Sequence, residues 1–142
     1  MRILGVDFGS KRVGLAISDE TGTVALAIGY LDGGNPDAVS REVARVAAER
    51  HAETIVVGLP VRLDGTSSQQ TERTLKFIAA LEAATIIPVK RWDERLTTAQ
   101  AERVLLEGNV SRKDRKQKID KLAAQLMLQS YLDAHSDCGS GL

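Results

Sequence analysis

Ile3-Leu4-Gly5-Val6-Asp7-Phe8-Gly9-Ser10-Lys11-Arg12-Val13-Gly14-Leu15-Ala16-Ile17-Ser18 is the stretch whose reading decides the fold. Two runs rich in strand-forming residues flank Gly9-Ser10-Lys11, which predicts a β-hairpin. A third run, Val24 to Leu31, follows the turn-forming Glu20-Thr21-Gly22 and extends the hairpin to a three-stranded meander. Within the first run, Asp7 shares the alternation of Ile3 and Gly5, so a carboxylate lies near the end of a strand expected to be central. Left unpaired there it would be costly. An aspartate that merely opens a turn with Gly9 would stand at the same position.

After the third run the period changes. Asn35-Pro36 is a cap followed by proline at the first helical position, and Val39, Val43, Val46 and Ala47 recur at helical spacing, predicting a helix that ends near Arg50. Thr54-Ile55-Val56-Val57-Gly58 is a continuous apolar run suited to a strand buried on both faces. Leu59 to Gly65 forms the following loop. Thr66 with Gln69 makes a capping box for a helix to about Ala84, with Leu75, Ile78, Ala79 and Leu81 inward. A strand over Ile86 to Trp92 follows. Thr97 with Gln100 caps a helix carrying Ala101, Val104 and Leu105, which Gly108-Asn109 ends, and the last helix runs from about Arg115 to Ala134.

The predicted order is βββαβαβαα. It implies an α/β fold with a mixed five-stranded sheet, antiparallel at first and parallel later, and helices on both faces. That is the chain order of an RNase H-like domain, and order alone carries no function. The chain has 142 residues, enough for one domain with one core, read as 1–135 with a flexible tail over 136–142.

Composition narrows the class. Apolar residues are 43% and charged residues 27%, an ordinary globular balance. No run of about 18 apolar residues occurs and no basic segment precedes an apolar one at the start, so the expectation is a soluble, unexported, cytoplasmic protein without a membrane partner. The single cysteine, Cys138, permits neither an intrachain disulfide nor a cysteine-based metal cluster. Lys+Arg and Asp+Glu are 19 each, which argues against a general polyanion binder. The distribution is uneven: residues 110–121 hold Arg112, Lys113, Arg115, Lys116, Lys118 and Lys121 against Asp114 and Asp120, a net +4. Such a patch can neutralise several phosphates, or can be a solvated helix entry.

Three further acids have unusual positions. Asp93 and Glu94 follow Trp92 at the end of the last strand, where catalytic groups commonly sit in open α/β sheets. Consecutive strand residues point to opposite faces, so one of the two faces the Asp7 cleft, and the other pairs with a cation such as Arg95 or orients the site. Both are also compatible with ordinary acids near a helix N-terminus. On a helical wheel Asp120 aligns with Ala123, Ala124, Met127 and Tyr131, opposite Lys118, Lys121, Gln125 and Gln129. A salt bridge to Lys116 or a metal shared with Asp7 and Glu94 would satisfy it. Acids from the first strand, last strand and last helix converge in this sheet order. Oxygen ligands without His or Cys suit Mg²⁺ or Mn²⁺, and two such ions about 4 Å apart would serve in-line hydrolysis of a phosphodiester. His51 and His135 stand in helix-terminal contexts and read as surface residues.

Four motifs carry a resemblance. Asp7-Phe8-Gly9-Ser10-Lys11-Arg12-Val13-Gly14 through Asp19, Val56-Val57-Gly58-Leu59-Pro60 with Asp64-Gly65, Asp93-Glu94-Arg95-Leu96-Thr97-Thr98, and Arg115-Lys116 with Asp120, Ala123-Ala124 and Gln129-Ser130-Tyr131-Leu132 resemble the YqgF/RuvX family. The resemblance covers about Met1 to Ala134 and implies an RNase H-like relative of Holliday-junction resolvases that matures the 5′ end of pre-16S rRNA. It implies Asp7, Glu94 and Asp120 as catalytic metal ligands, with Asp93 a further ligand. Resolvase relatives place an acid near the end of the Gly58-Leu59-Pro60 strand; this chain does not, which leaves the set to draw on Asp93 or Glu94. Lys11, Arg12, Arg95, Arg112, Lys113, Arg115 and Lys116 are the expected contacts to nucleic acid, pre-rRNA or branched DNA. The ribosomal small-subunit precursor is an expected partner, and the chain an expected monomer or homodimer. Gly9 and Gly14 either let backbone approach phosphate or complete a tight hairpin. The alternative readings are a Holliday-junction or branched-DNA resolvase and a non-catalytic RNA-binding module for ribosome assembly; the spacing of Asp7, Gly9 and Gly14 also resembles the phosphate loop of actin-like ATPases, which need two such domains where this chain supplies one.

Overall fold

The computed structural model describes residues 2–9, 11–59, 69–93 and 123–134. Its elements are β1 (Ile3–Phe8), β2 (Arg12–Ser18), β3 (Ala25–Asp32), α1 (Pro36–Glu49), β4 (Thr54–Leu59), α2 (Gln69–Ala84) and β5 (Val89–Asp93). A further helix, α3, covers residues 123–134. The predicted cap at Thr66 and the helix carrying Ala101, Val104 and Leu105 lie outside the described residues.

The five strands form one sheet in the order β3-β2-β1-β4-β5, with β1 in the middle. β1 pairs antiparallel with β2 and β2 with β3, whereas β1 pairs parallel with β4 and β4 with β5. This is the mixed sheet the chain order predicts. Alternation divides its residues between two layers. Leu4, Val6, Phe8, Val13, Leu15, Ile17, Ile55 and Val57 pack with Val39, Val43 and Ala47 of α1 and Phe77, Ile78 and Leu81 of α2 in one buried cluster. Ile3, Ala16, Val56 and Trp92 pack on the other face with Ala124, Met127, Leu128, Tyr131 and Leu132 of α3. Helices therefore cover both faces.

Local chemistry explains the boundaries. Asn35 caps α1 by accepting the Asp37 N–H at 2.9 Å, and Pro36 occupies the first turn, where its missing N–H costs nothing. After Glu49 and the cap residue Arg50, His51 takes the left-handed conformation (φ 57°) and stops the helix, while the Ala52 N–H closes on the Ala47 carbonyl at 2.9 Å. Asp19 ties the β2–β3 connection. Its carboxylate accepts the Thr21 hydroxyl and the N–H groups of Thr23 (2.8 Å) and Val24 (3.1 Å). At the start of β1, the buried Ser18 hydroxyl accepts the Ile3 N–H at 2.7 Å.

Two details of the sequence reading need correction. Ala79 is exposed; Ile78 and Leu81 are buried and Leu75 packs against the core as expected, and Thr71, Thr74 and the bulky Phe77 complete the inward face of α2. Ile86 is fully exposed and β5 begins only at Val89. Pro88 has no N–H for the ladder, but its carbonyl accepts the Ile55 N–H at 2.9 Å, just ahead of the first paired residue.

One contact sets how closely α3 approaches the sheet. A Cβ added at Gly5 would stand 2.9 Å from Leu128 Cβ, closer than packed carbons allow. Gln125 and Gln129 of α3, expected opposite the apolar arc, are half-buried and bind the edge strand. Gln129 accepts the Ala25 N–H (2.9 Å) and donates to the Thr23 carbonyl (2.9 Å), and Gln125 donates to the Ala25 carbonyl (3.1 Å). Both ends of this helix–sheet contact are thus fixed by specific residues.

Gly5→Ala is expected to destabilise the fold by about 1–3 kcal/mol through overpacking against Leu128, read as a lower denaturation midpoint with unchanged m-value. The Asp19 carboxyl is held at about 2, below its ordinary 3.8, by the Thr21 hydroxyl first and then the Val24 and Thr23 amides. Its folded-state pKa is depressed, so its contribution is complete above the unfolded value and is lost as pH falls toward 2. Melting curves of Asp19→Ala should fall below wild type at neutral pH and converge with it as the pH is lowered through that range.

Candidate functional site

Asp7 stands at the next-to-last position of the central strand and is half-buried. Its backbone partners are Gly14 on β2 and Gly58 on β4. Continuing the row outward, Gly14 pairs with Tyr30 on β3 and Gly58 with Trp92 on β5. Directly paired residues point to the same side of a sheet, so Tyr30, Asp7 and Trp92 share one face, with a glycine on either side of the aspartate. That face is the one α3 covers. Among the described residues, Asp7 is thus flanked on both neighbouring strands by glycine.

The other face holds this carboxylate's strand still. Phe8, the next residue, points away from Asp7 and stacks on Phe77 with ring centroids 4.5 Å apart. Arg73 lies over the Phe8 ring at 5.5 Å, and Gln70 donates to the Phe8 carbonyl at 2.6 Å. The hairpin end is equally fixed. The Gly9 N–H is directed at both the Asp7 and Arg12 carbonyls (3.1 and 2.9 Å), and a Cβ at Gly9 would meet the Arg12 oxygen at 2.6 Å. Of the two roles open to Gly9, this is the tight turn: its N–H is already spent within the hairpin. The Gly33 N–H binds the Lys11 carbonyl at 2.8 Å, buttressing the same turn from the β3 side.

Among the described residues the Asp7 carboxylate has neither hydrogen-bond nor ion-pair partner. A half-buried acid without a partner is the feature a cation would complete. Asp93 ends β5 and pairs with Leu59, one row beyond Asp7, Gly58 and Trp92. Glu94, Asp120, Arg95, Arg112, Lys113, Arg115 and Lys116 lie outside the described residues, and within those residues no group of three potential ligands comes together. Lys11 is exposed at the hairpin turn, and the Arg12 guanidinium lies 5.0 Å from the centroid of the Tyr30 ring. On α3, Ala123, Ala124, Met127 and Tyr131 are all buried, as the wheel that includes Asp120 predicts, and Tyr131 meets Trp92 edge-on at 5.5 Å. Sequence reasoning missed the glycine row and Tyr30, because which residues oppose each other depends on register.

The model of the family described as "RuvX: Holliday junction resolvase" matches residues 1–134. The chain belongs to the RuvX family. Among its relatives, proteins named "Putative pre-16S rRNA nuclease" from Syntrophus aciditrophicus and Halothermothrix orenii are 46% and 43% identical to it. The first alignment covers 96% of this chain and 91% of the relative, the second 94% and 95%. The fold of this RuvX-family chain is similar to RuvC of T. thermophilus, solved in complex with a Holliday junction substrate, at a TM-score of 0.58 and 15% identity over 96% of each chain. It is also similar to the Fowlpox virus resolvase solved with Holliday junction DNA, at a TM-score of 0.56 and 18% identity over 94% of this chain and 98% of that one. These likenesses establish a resolvase-type, RNase H-like architecture for the RuvX chain.

Proposed function

We propose that this chain is a metal-dependent endonuclease that hydrolyses phosphodiester bonds in RNA and processes the 5′ end of pre-16S rRNA in the cytoplasm. The observation that carries the reading is the half-buried Asp7 carboxylate, without a partner among the described residues, on a row of the central strand flanked by Gly14 and Gly58. Native proteins retain such a group where function requires it, since a neutral side chain would cost less. The names of the RuvX relatives supply the substrate class.

In this reading Asp7, Glu94 and Asp120 hold Mg²⁺ or Mn²⁺, hard cations matched to carboxylate oxygens. Alternation in the sequence from Trp92, which shares the Asp7 face, is the reason this reading prefers Glu94 to Asp93 as the direct ligand. Asp93 is the further member of the proposed set. Asp120 is included because in the sequence it stands at helical spacing from Ala123 and Ala124, both of which are buried. Metal bound there supplies an activated water and stabilises the leaving oxygen. The protein's own contribution is placement: the Phe8–Phe77 stack and the Gln70 hydrogen bond hold Asp7, and the bare glycine row leaves room for a phosphate beside it. Lys11 and Arg12, with Arg95, Arg112, Lys113, Arg115 and Lys116, bind the strand's phosphates. The domain spans 1–135.

The family description and the resolvase fold favour one second reading, cleavage of branched DNA. Both substrates test the site. Purified protein with Mg²⁺ or Mn²⁺ is expected to cut a pre-16S 5′-leader RNA, and chelation to stop it. Asp7→Asn, with its fold verified by circular dichroism, should lower the single-turnover rate at least about 100-fold. Glu94→Gln and Asp120→Asn should act alike, and Asp93→Asn less. Full activity in Asp7→Asn would sink the assignment, and cutting of a four-way DNA junction but not the leader RNA would move it to the second reading.

A further inference from the structure

We propose that Tyr30 is a stacking platform for a base of single-stranded RNA, placed beside the Asp7 site by a bulge in the edge strand. The inference rests on the reading of this chain as an RNA nuclease and assigns a residue to substrate positioning.

The bulge is the first observation. β2 and β3 pair Ala16 with Ala27 but Leu15 with Gly29, so Ile28 is an extra residue. Gly29, at φ 139°, takes a backbone conformation that residues with side chains rarely adopt. Without the extra residue Tyr30 would oppose Val13, whose side chain lies in the cluster under α1 and α2. With it, Tyr30 opposes Gly14 and is turned onto the face of Asp7. Bulges at sheet edges serve to re-aim side chains in this way.

Exposure and chemistry are the second. Tyr30 is 43% exposed, a large aromatic on the edge strand of the site face. Two strand spacings separate β3 from β1, which places Tyr30 roughly 10 Å from Asp7. That span fits a strand whose scissile phosphate lies at Asp7 and whose base one or two nucleotides away reaches the ring. Only Gly14 intervenes in the row. The Arg12 guanidinium over the ring, 5.0 Å from its centroid, adds positive charge where the backbone of a stacked nucleotide would pass. A ring with a cation beside it is the combination that holds single strands without reading their sequence.

The test measures binding of an oligouridine strand carrying one 2-aminopurine to the full chain, with Ca²⁺ replacing Mg²⁺. Wild type should bind and quench the 2-aminopurine. Tyr30→Ala, folded as judged by its melting curve, should bind about tenfold more weakly and lose the quenching, whereas Tyr30→Phe should stay within about twofold of wild type. The slope of log Kd against log salt should not change in Tyr30→Ala, because no phosphate contact is lost; a merely structural disturbance of the basic hairpin would reduce it. Equal affinity and quenching in Tyr30→Ala, or a changed salt slope, would overturn the platform while leaving the nuclease reading intact. Failure of the wild type to bind any RNA would overturn both.

Discussion

Gly5 and Leu128 meet at a distance that no side chain on residue 5 would permit, and the layout of the molecule follows from that contact. It seats α3 directly on the central strand, two residues before Asp7. Had a larger residue stood at position 5, the helix would ride higher on the sheet. The glutamine contacts to Thr23 and Ala25 fix the same helix along the sheet edge. Close approach over β1 and polar attachment over β3 together define a helix with little freedom to slide.

The two faces of the sheet have separate tasks. One is filled: α1 and α2 bury Phe8, Val13 and Val57 in a continuous apolar cluster, and the Phe8–Phe77 stack anchors the end of β1. On the other, the described residues pack a smaller cluster around α3. Beyond Ile3, Gly5 and Val56, where α3 packs, the row of Asp7 has glycines on both neighbouring strands. A polar floor of this kind forgoes packing energy locally, and the filled face opposite supplies the rigidity that a precisely placed carboxylate needs. Placement on a strand held from behind is a sturdier solution than a loop.

Much of this was legible in the sequence. The β-rich runs around Gly9, the Asn35-Pro36 cap and the continuous apolar run at Thr54 specify their elements through local chemistry, and their order restricts the sheet to a mixed one. Asp7 stood out because a carboxylate at that point conflicts with a central strand. The sheet-facing side of α2 was less legible, since Ala79 and Phe77 are both apolar and only the shape of the sheet decides between them. The β-branched Ile86 reads as strand, yet Pro88 marks where pairing begins. Tyr30 was the hardest to see. Its facing depends on one extra residue at Ile28, and a bulge that shifts register by one reverses every later side chain in the strand.

A crystal structure after soaking in Mn²⁺ tests the central claim most directly, because manganese is located by its own anomalous scattering. The account predicts a manganese peak about 2.2 Å from an Asp7 carboxylate oxygen, with Glu94 and Asp120 completing its ligands. A carboxylate at Asp7 paired to a lysine or arginine, with no manganese near it, would contradict the account.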